Sequence, residues 1–158
     1  MKLADFLFPG AFVPQLASDD KEGVIRELVA ALVRAKKVPR GNVTAVVDAL
    51  LERERLGSTG IGKGIAVPHA KHRSVKEVVG TVGLSPPGVD FAALDGELAY
   101  VFFLLVSSPN DAAGHLAALE LIAETLKHKT FCRFLRQSRT QQELVELLEE
   151  ADQGRYTL

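Results

Sequence analysis

The stretch Leu98-Ala99-Tyr100-Val101-Phe102-Phe103-Leu104-Leu105-Val106 is apolar at almost every position. A strand with one wet face alternates between apolar and polar residues, so a run without alternation reads as a strand buried on both faces. At about half the length of a membrane helix, it is too short to span a bilayer. A strand of this kind needs cover on each side, which calls for helices above and below a sheet.

The rest of the chain supplies helical patterns. Behind Asp19 and Asp20, Ile25, Leu28, Val29 and Leu32 recur at helical spacing, in a helix that should stop near Val38-Pro39. A second helix opens at Asn42 and puts Val43, Val46, Val47, Leu50 and Leu51 on one face before Glu52-Arg53-Glu54-Arg55 and a stop at Gly57. Asp111 can cap a third, whose Leu116, Leu119, Ile122, Ala123 and Leu126 share a face, and a last helix runs near Gln141 to Glu150. Ile65-Ala66-Val67 and Val78 to Leu84 read as further strands, while Pro86 to Gly88 reads as punctuation. Helices before, between and after strands predict a layered α/β fold.

With 158 residues, 47% of them hydrophobic, the chain can bury one sizeable core, and a single domain over 1–158 is expected. Its 19 basic and 20 acidic residues nearly cancel, so no global field favours nucleic acid or an anionic membrane, and any anion site is local. The single Cys132 cannot form an internal disulfide and fits a buried thiol in a reducing compartment. Met1 to Gly10 is too short and too polar for a signal peptide. A cytoplasmic protein with no direct membrane insertion is the expectation.

The chemistry concentrates in Gly57-Ser58-Thr59-Gly60-Ile61-Gly62-Lys63-Gly64-Ile65-Ala66-Val67-Pro68-His69-Ala70-Lys71, which holds four glycines, two hydroxyls, two lysines and one histidine. A nucleotide P-loop fails here. Gly64 stands where Ser or Thr would hold magnesium, and the loop runs from helix to strand rather than from strand to helix. Gly60, Gly62 and Gly64 also lack dinucleotide-fingerprint spacing. A plain turn needs one or two glycines, whereas four imply backbone bending sharply or approaching something closely.

His69 gives the loop a chemical use. A neutral imidazole is nucleophilic near pH 7 and can attack phosphorus without a separate base. The resulting phosphoramidate needs donors around its oxygens, which Ser58, Thr59 and backbone amides such as that of Gly60 could provide, with charge from Lys71. Lys63 could add charge too, or simply solvate the loop. His72 lies three residues after His69, but no ligand spacing joins the pair to His115, His128 or Cys132, so neither a metal nor another cofactor is expected.

Arg53-Glu54, then Gly57-Ser58-Thr59-Gly60-Ile61-Gly62, then Gly64-Ile65-Ala66-Val67-Pro68-His69 resembles the mannitol, fructose and nitrogen-regulatory class of enzyme IIA of the sugar phosphotransferase system. Lys63 stands where many relatives carry asparagine, and Val67 where isoleucine is common. The resemblance implies a mixed β-sheet between helices, the mannitol/fructose-type IIA fold, and a phosphotransferase component that works through a transient phosphohistidine at His69. It maps a family arginine onto Arg53 and a second family histidine onto His115, in Gly114-His115-Leu116.

The implied donor is the histidine-containing phosphocarrier protein, charged from phosphoenolpyruvate through enzyme I. The implied acceptor is an enzyme IIB component of fructose or mannitol type, or, in nitrogen-regulatory members, regulated proteins rather than a further carrier. A module that binds a phosphate-bearing ligand without being phosphorylated is the remaining alternative. Arg53 could stabilise phosphoryl charge, although an arginine in a last helical turn also suits the macrodipole alone. His115, near a helix start, could donate to the phosphate or pack beside the apolar face, and Glu54 could orient Arg53 or a neighbouring helix end.

Overall fold

Strand β5 (Ala99–Ser107) grows from the apolar run and carries neighbours along both edges. The computed structural model describes residues 1–156. Before β5 come β1 (Gly60–Gly62), β2 (Ile65–Ala66), β3 (His69–Lys71) and β4 (Val79–Val89). β4 runs antiparallel along one edge, from Val79 opposite Val106 to Val89 opposite Ala99. β2 and β3 both run parallel to β5 along the other edge, as one strand interrupted at Val67-Pro68. β1 extends the sheet beyond β2. The N-terminal segment touches the outer edge of β4 through Leu7 and Val13.

The alternation hidden in the apolar run now has a physical meaning. Phe102, Leu104 and Val106 face α1 (Lys21–Arg34) and α2 (Val43–Arg55), while Val101, Phe103 and Leu105 face α3 (Ala112–Thr125), α4 (Lys129–Gln137) and α5 (Gln141–Asp152). Both rows are buried to within about one per cent of completely. The result is the layered α/β fold with a mixed sheet that the sequence and the resemblance predict. No helix is long and apolar enough to cross a membrane among the described residues.

Local signals and structure differ at four places. Asp20 caps α1 by accepting from Gly23 N at 2.7 Å, but Asn42 makes no side-chain cap, because a 3-10 turn over Arg40–Asn42 feeds α2 directly. β4 continues through Pro86-Pro87-Gly88 by shifting register between Leu84 and Val89, the irregularity at which prolines are tolerated in a sheet. α4 is absent from the sequence reading although Phe131, Phe134 and Leu135 stand at helical spacing, because it spans only nine residues and no side chain caps its start. In α3, Ala118, Ile122 and Thr125 face inward, whereas Leu116 of the expected apolar face is 56% exposed. Half-buried Cys132 donates its thiol to Leu126 O, and burial raises its pKa.

Candidate functional site

Glu54 continues the buried face of α2 after Val47 and Leu50, and it is only 8% exposed. A carboxylate at that depth needs partners. Lys21 Nζ lies 2.9 Å from Oε1, Thr59 N donates to Oε1 at 3.2 Å, and the Thr59 hydroxyl bonds Oε2. Glu54 therefore holds the glycine loop and the first residue of α1 to the end of α2; of the two roles expected for it, it serves a neighbouring helix end and makes no bond to Arg53. Its buried, bridging role was not visible from a run of four alternating charges.

The loop is a hairpin. Lys63 and Gly64 occupy the two turn positions with φ of 59° and 83°, the pair of positive values that a two-residue turn between twisted strands requires. Gly60 packs closely against a neighbouring segment, since a Cβ there would sit 3.0 Å from Ala93 Cβ. The Ser58 hydroxyl donates to Phe91 O and accepts from Gly60 N at 2.9 Å. The hydroxyls of Ser58 and Thr59 and the amide of Gly60 are thus engaged within the protein. As the loop stands, they shape the site rather than present free donors.

From this loop a chain of bonds reaches His69. Val67 N donates to Thr59 O at 3.0 Å, and His69 Nδ1 lies 2.7 Å from Val67 O. A carbonyl can only accept, so Nδ1 carries the proton and Nε2 keeps its lone pair. Among the described residues Nε2 has no hydrogen-bond partner. Burial is the main cause of a His69 pKa below 6.5; the Val67 bond opposes it, nearby Arg53 adds to it, and Glu54 works weakly the other way. The ring is accordingly neutral at pH 7.

Four of the anticipated residues meet at one cavity of about 210 Å³. His69, Arg53, Ser58 and Thr59 line it together with Val67, Ile61, the α3 side chains Leu119, Ile122 and Ala123, and Leu126 just beyond that helix. Apolar residues of α3 thus border the candidate nucleophile. Arg53 Nη1 donates to Gly57 O at 2.8 Å, which holds the guanidinium beside the loop. His115 stands outside the cavity lining but beside His69, with ring centroids 5.6 Å apart. Its Nδ1 bonds the Ser107 hydroxyl at the end of β5, and burial, then His69 and Lys71, lower its pKa.

Lys71 is exposed at the end of β3, and Lys63 lines an adjoining cavity that shares Ile61, Ala123 and Leu126. Ser74 N donates to His72 Nδ1 at 3.1 Å. His128 stacks on Tyr156. Among the described residues no three His, Cys, Asp or Glu side chains gather as metal ligands.

The sequence matches the family described as phosphoenolpyruvate-dependent sugar phosphotransferase system, EIIA 2, over residues 6–151. The chain belongs to this IIA family. It is 33% identical over 148 residues to the nitrogen regulatory protein of Bradyrhizobium diazoefficiens, covering 94% of this chain and 95% of that one. It is likewise 33% identical over 130 residues to the fructose-specific EIIA component of Haloferax volcanii, covering 82% and 83%. The crystal structure of nitrogen regulatory protein IIA-Ntr from Neisseria meningitidis superposes with a TM-score of 0.81 at 27% identity, over 92% of this chain and 98% of that one. Within the IIA family, resemblance to nitrogen-regulatory and fructose members is thus of similar strength.

Proposed function

We propose that this IIA domain carries a phosphoryl group on His69 Nε2. The observation that supports the reading is the Nδ1–H bond to Val67 O, which leaves a neutral imidazole with its nucleophilic nitrogen uncommitted beside a shallow, largely apolar cavity. In the transfer step, Nε2 forms a bond to the phosphorus held on a donor imidazole. The N–P bond to that donor breaks, and its electron pair returns to the donor nitrogen. His69 keeps its Nδ1 proton, so the phosphorylated ring retains its anchor on Val67.

Arg53 supplies positive charge as the phosphoryl oxygens pass between partners, the electrostatic help on which phosphoryl transfer chiefly depends. The Ser107 hydroxyl engages His115 Nδ1, and in this reading the other ring nitrogen of His115 is the one that donates a hydrogen bond to a phosphoryl oxygen. Ile61 and Leu116, 57% and 56% exposed, add apolar surface that a docking protein can cover to exclude water. The donor in this reading is the histidine-containing phosphocarrier protein, with a IIB component as acceptor. The second reading is a nitrogen-regulatory role, in which other proteins sense the state of His69; similarity to nitrogen regulatory proteins along nearly the whole chain supports it, as similarity to fructose components supports the carrier.

The test is intact-mass analysis after incubation with phosphoenolpyruvate, enzyme I and the phosphocarrier protein, with mapping under alkaline conditions. One acid-labile phosphoryl group on His69 is expected. With a donor shown to work on another IIA, absence of the group would leave the alternative of a phosphate-ligand module. Transfer onward to an added fructose-type IIB would then separate carrier from regulator.

A further inference from the structure

A second concavity lies away from His69. It is an open cleft of about 1080 Å³ between the C-terminal end of α1 and the segment joining β3 to β4. Arg34, Lys36, Lys37, Arg40 and Lys76 line it, with Glu77 as the sole carboxylate. A chain with equal numbers of acids and bases to within one has placed five cations around one concavity. Among the described residues none of the five lies within salt-bridge distance of a carboxylate.

Helix-end electrostatics accounts for part of this. Basic residues complement the carbonyls of the last turn of α1, which explains Arg34 and one neighbour. It does not explain Arg40 and Lys76, which come from other segments. Nor does it explain Lys36, whose φ of 62° occupies the left-handed position after a helix that glycine or asparagine normally takes. A lysine held in that conformation keeps its charge at the cleft at a cost in backbone strain, a pattern associated with functional sites.

The cleft also has an apolar part, formed by Phe8, Val33, Pro39 and Val75. Lys37 Nζ sits 4.0 Å from the Phe8 ring centroid, bringing the two characters together. A concave shape suits a small molecule better than a flat membrane surface. Several cations beside an apolar wall suit a ligand with clustered negative charge and a flat apolar portion.

We propose that this cleft binds a nucleoside polyphosphate, with the phosphates among Lys36, Lys37, Arg40 and Lys76 and the base against the Phe8 side. The site is separate from His69 and does not rest on the carrier reading. The experiment is calorimetric titration of the intact protein with magnesium-free ATP at low salt, with tripolyphosphate and an oligo-glutamate peptide as comparison probes. Saturable ATP binding that weakens with salt is expected, with tripolyphosphate bound at least severalfold more weakly.

Lys36→Gly is the decisive variant, because it relieves the positive φ while removing one charge. It should melt no lower than the parent, and combined with Lys76→Ala it should lose ATP affinity by about tenfold or more. His69→Ala should bind ATP unchanged, whatever its effect on phosphorylation. No saturable binding, equal affinity in the double variant, equal affinity for tripolyphosphate, or binding of the acidic peptide alone would each overturn the assignment.

Discussion

His69 Nδ1 and Val67 O lie 2.7 Å apart across a single proline, so one turn of backbone decides which nitrogen of the ring is free. The bond is local in sequence, but Val67 is itself held by Thr59 and Thr59 by Glu54. Orientation of the candidate nucleophile therefore begins at α2, and perturbing distant members of that series should be felt at the ring.

Glu54→Ala leaves Lys21 and the loop without their carboxylate. It should destabilise the fold by about 1–3 kcal/mol, read as a lower denaturation midpoint. Glu54→Gln keeps an acceptor for Thr59 N and should recover most of the phosphorylation rate lost in the alanine variant. Equal rates in both variants would detach Glu54 from the positioning of His69.

The depressed His69 pKa sets a pH dependence. Its folded pKa lies below 6.5, so on acidification the unfolded chain takes up the proton first. Stability from this group is fully present above pH 6.5 and is lost as pH falls through the lower folded value. The acceptance rate should likewise hold from pH 8 down past 6.5 and decline only below it. NMR titration of the imidazole supplies the midpoint, and a value at or above 6.5 would contradict the buried, neutral ring.

Arg53→Ala should slow phosphoryl transfer by about 10²-fold in both directions while leaving the melting temperature nearly unchanged, because its side chain bonds only the Gly57 carbonyl. Unchanged forward and reverse rates would confine Arg53 to closing the end of α2.

Ser107→Ala removes the hydroxyl that fixes His115 Nδ1. Transfer should slow by about 10-fold, and the nitrogen shifts of the His115 ring should change, whereas those of His128 should not. An unaltered His115 ring signal would mean that packing alone holds it.

In the core, Leu104→Ala should cost about 2–5 kcal/mol, since the side chain is fully buried between β5 and the α1–α2 layer. Thermal or chemical denaturation gives the figure directly.

The fold was legible where one physical demand dominated. β5 had to be buried on both faces, and α1 and α2 carried stripes wide enough to declare a buried side. α4 escaped because it is short and no capping side chain marks its start. The apolar positions of α3 misled because apolarity there serves an exposed site as well as a core. In the site, His69 stood out by its chemistry, but the hydroxyls of Ser58 and Thr59 could not be assigned from sequence. Whether they face a ligand or their own backbone depends on Glu54 and Phe91, which spacing does not bring near. The basic cleft was invisible for the same reason, being assembled from three separate segments.

The interruption at Val67-Pro68 has one more consequence. β2 and β3 grip the same edge of β5 on either side of it, so His69 pairs opposite Leu105 and Ala70 opposite Val106. A slip of one residue would bury the imidazole among the α1–α2 side chains and offer a methyl group to the cavity. If His69 is the acceptor proposed above, misaligned copies are chemically mute, and labelling would report the alignment of the sheet as well as the chemistry of the ring.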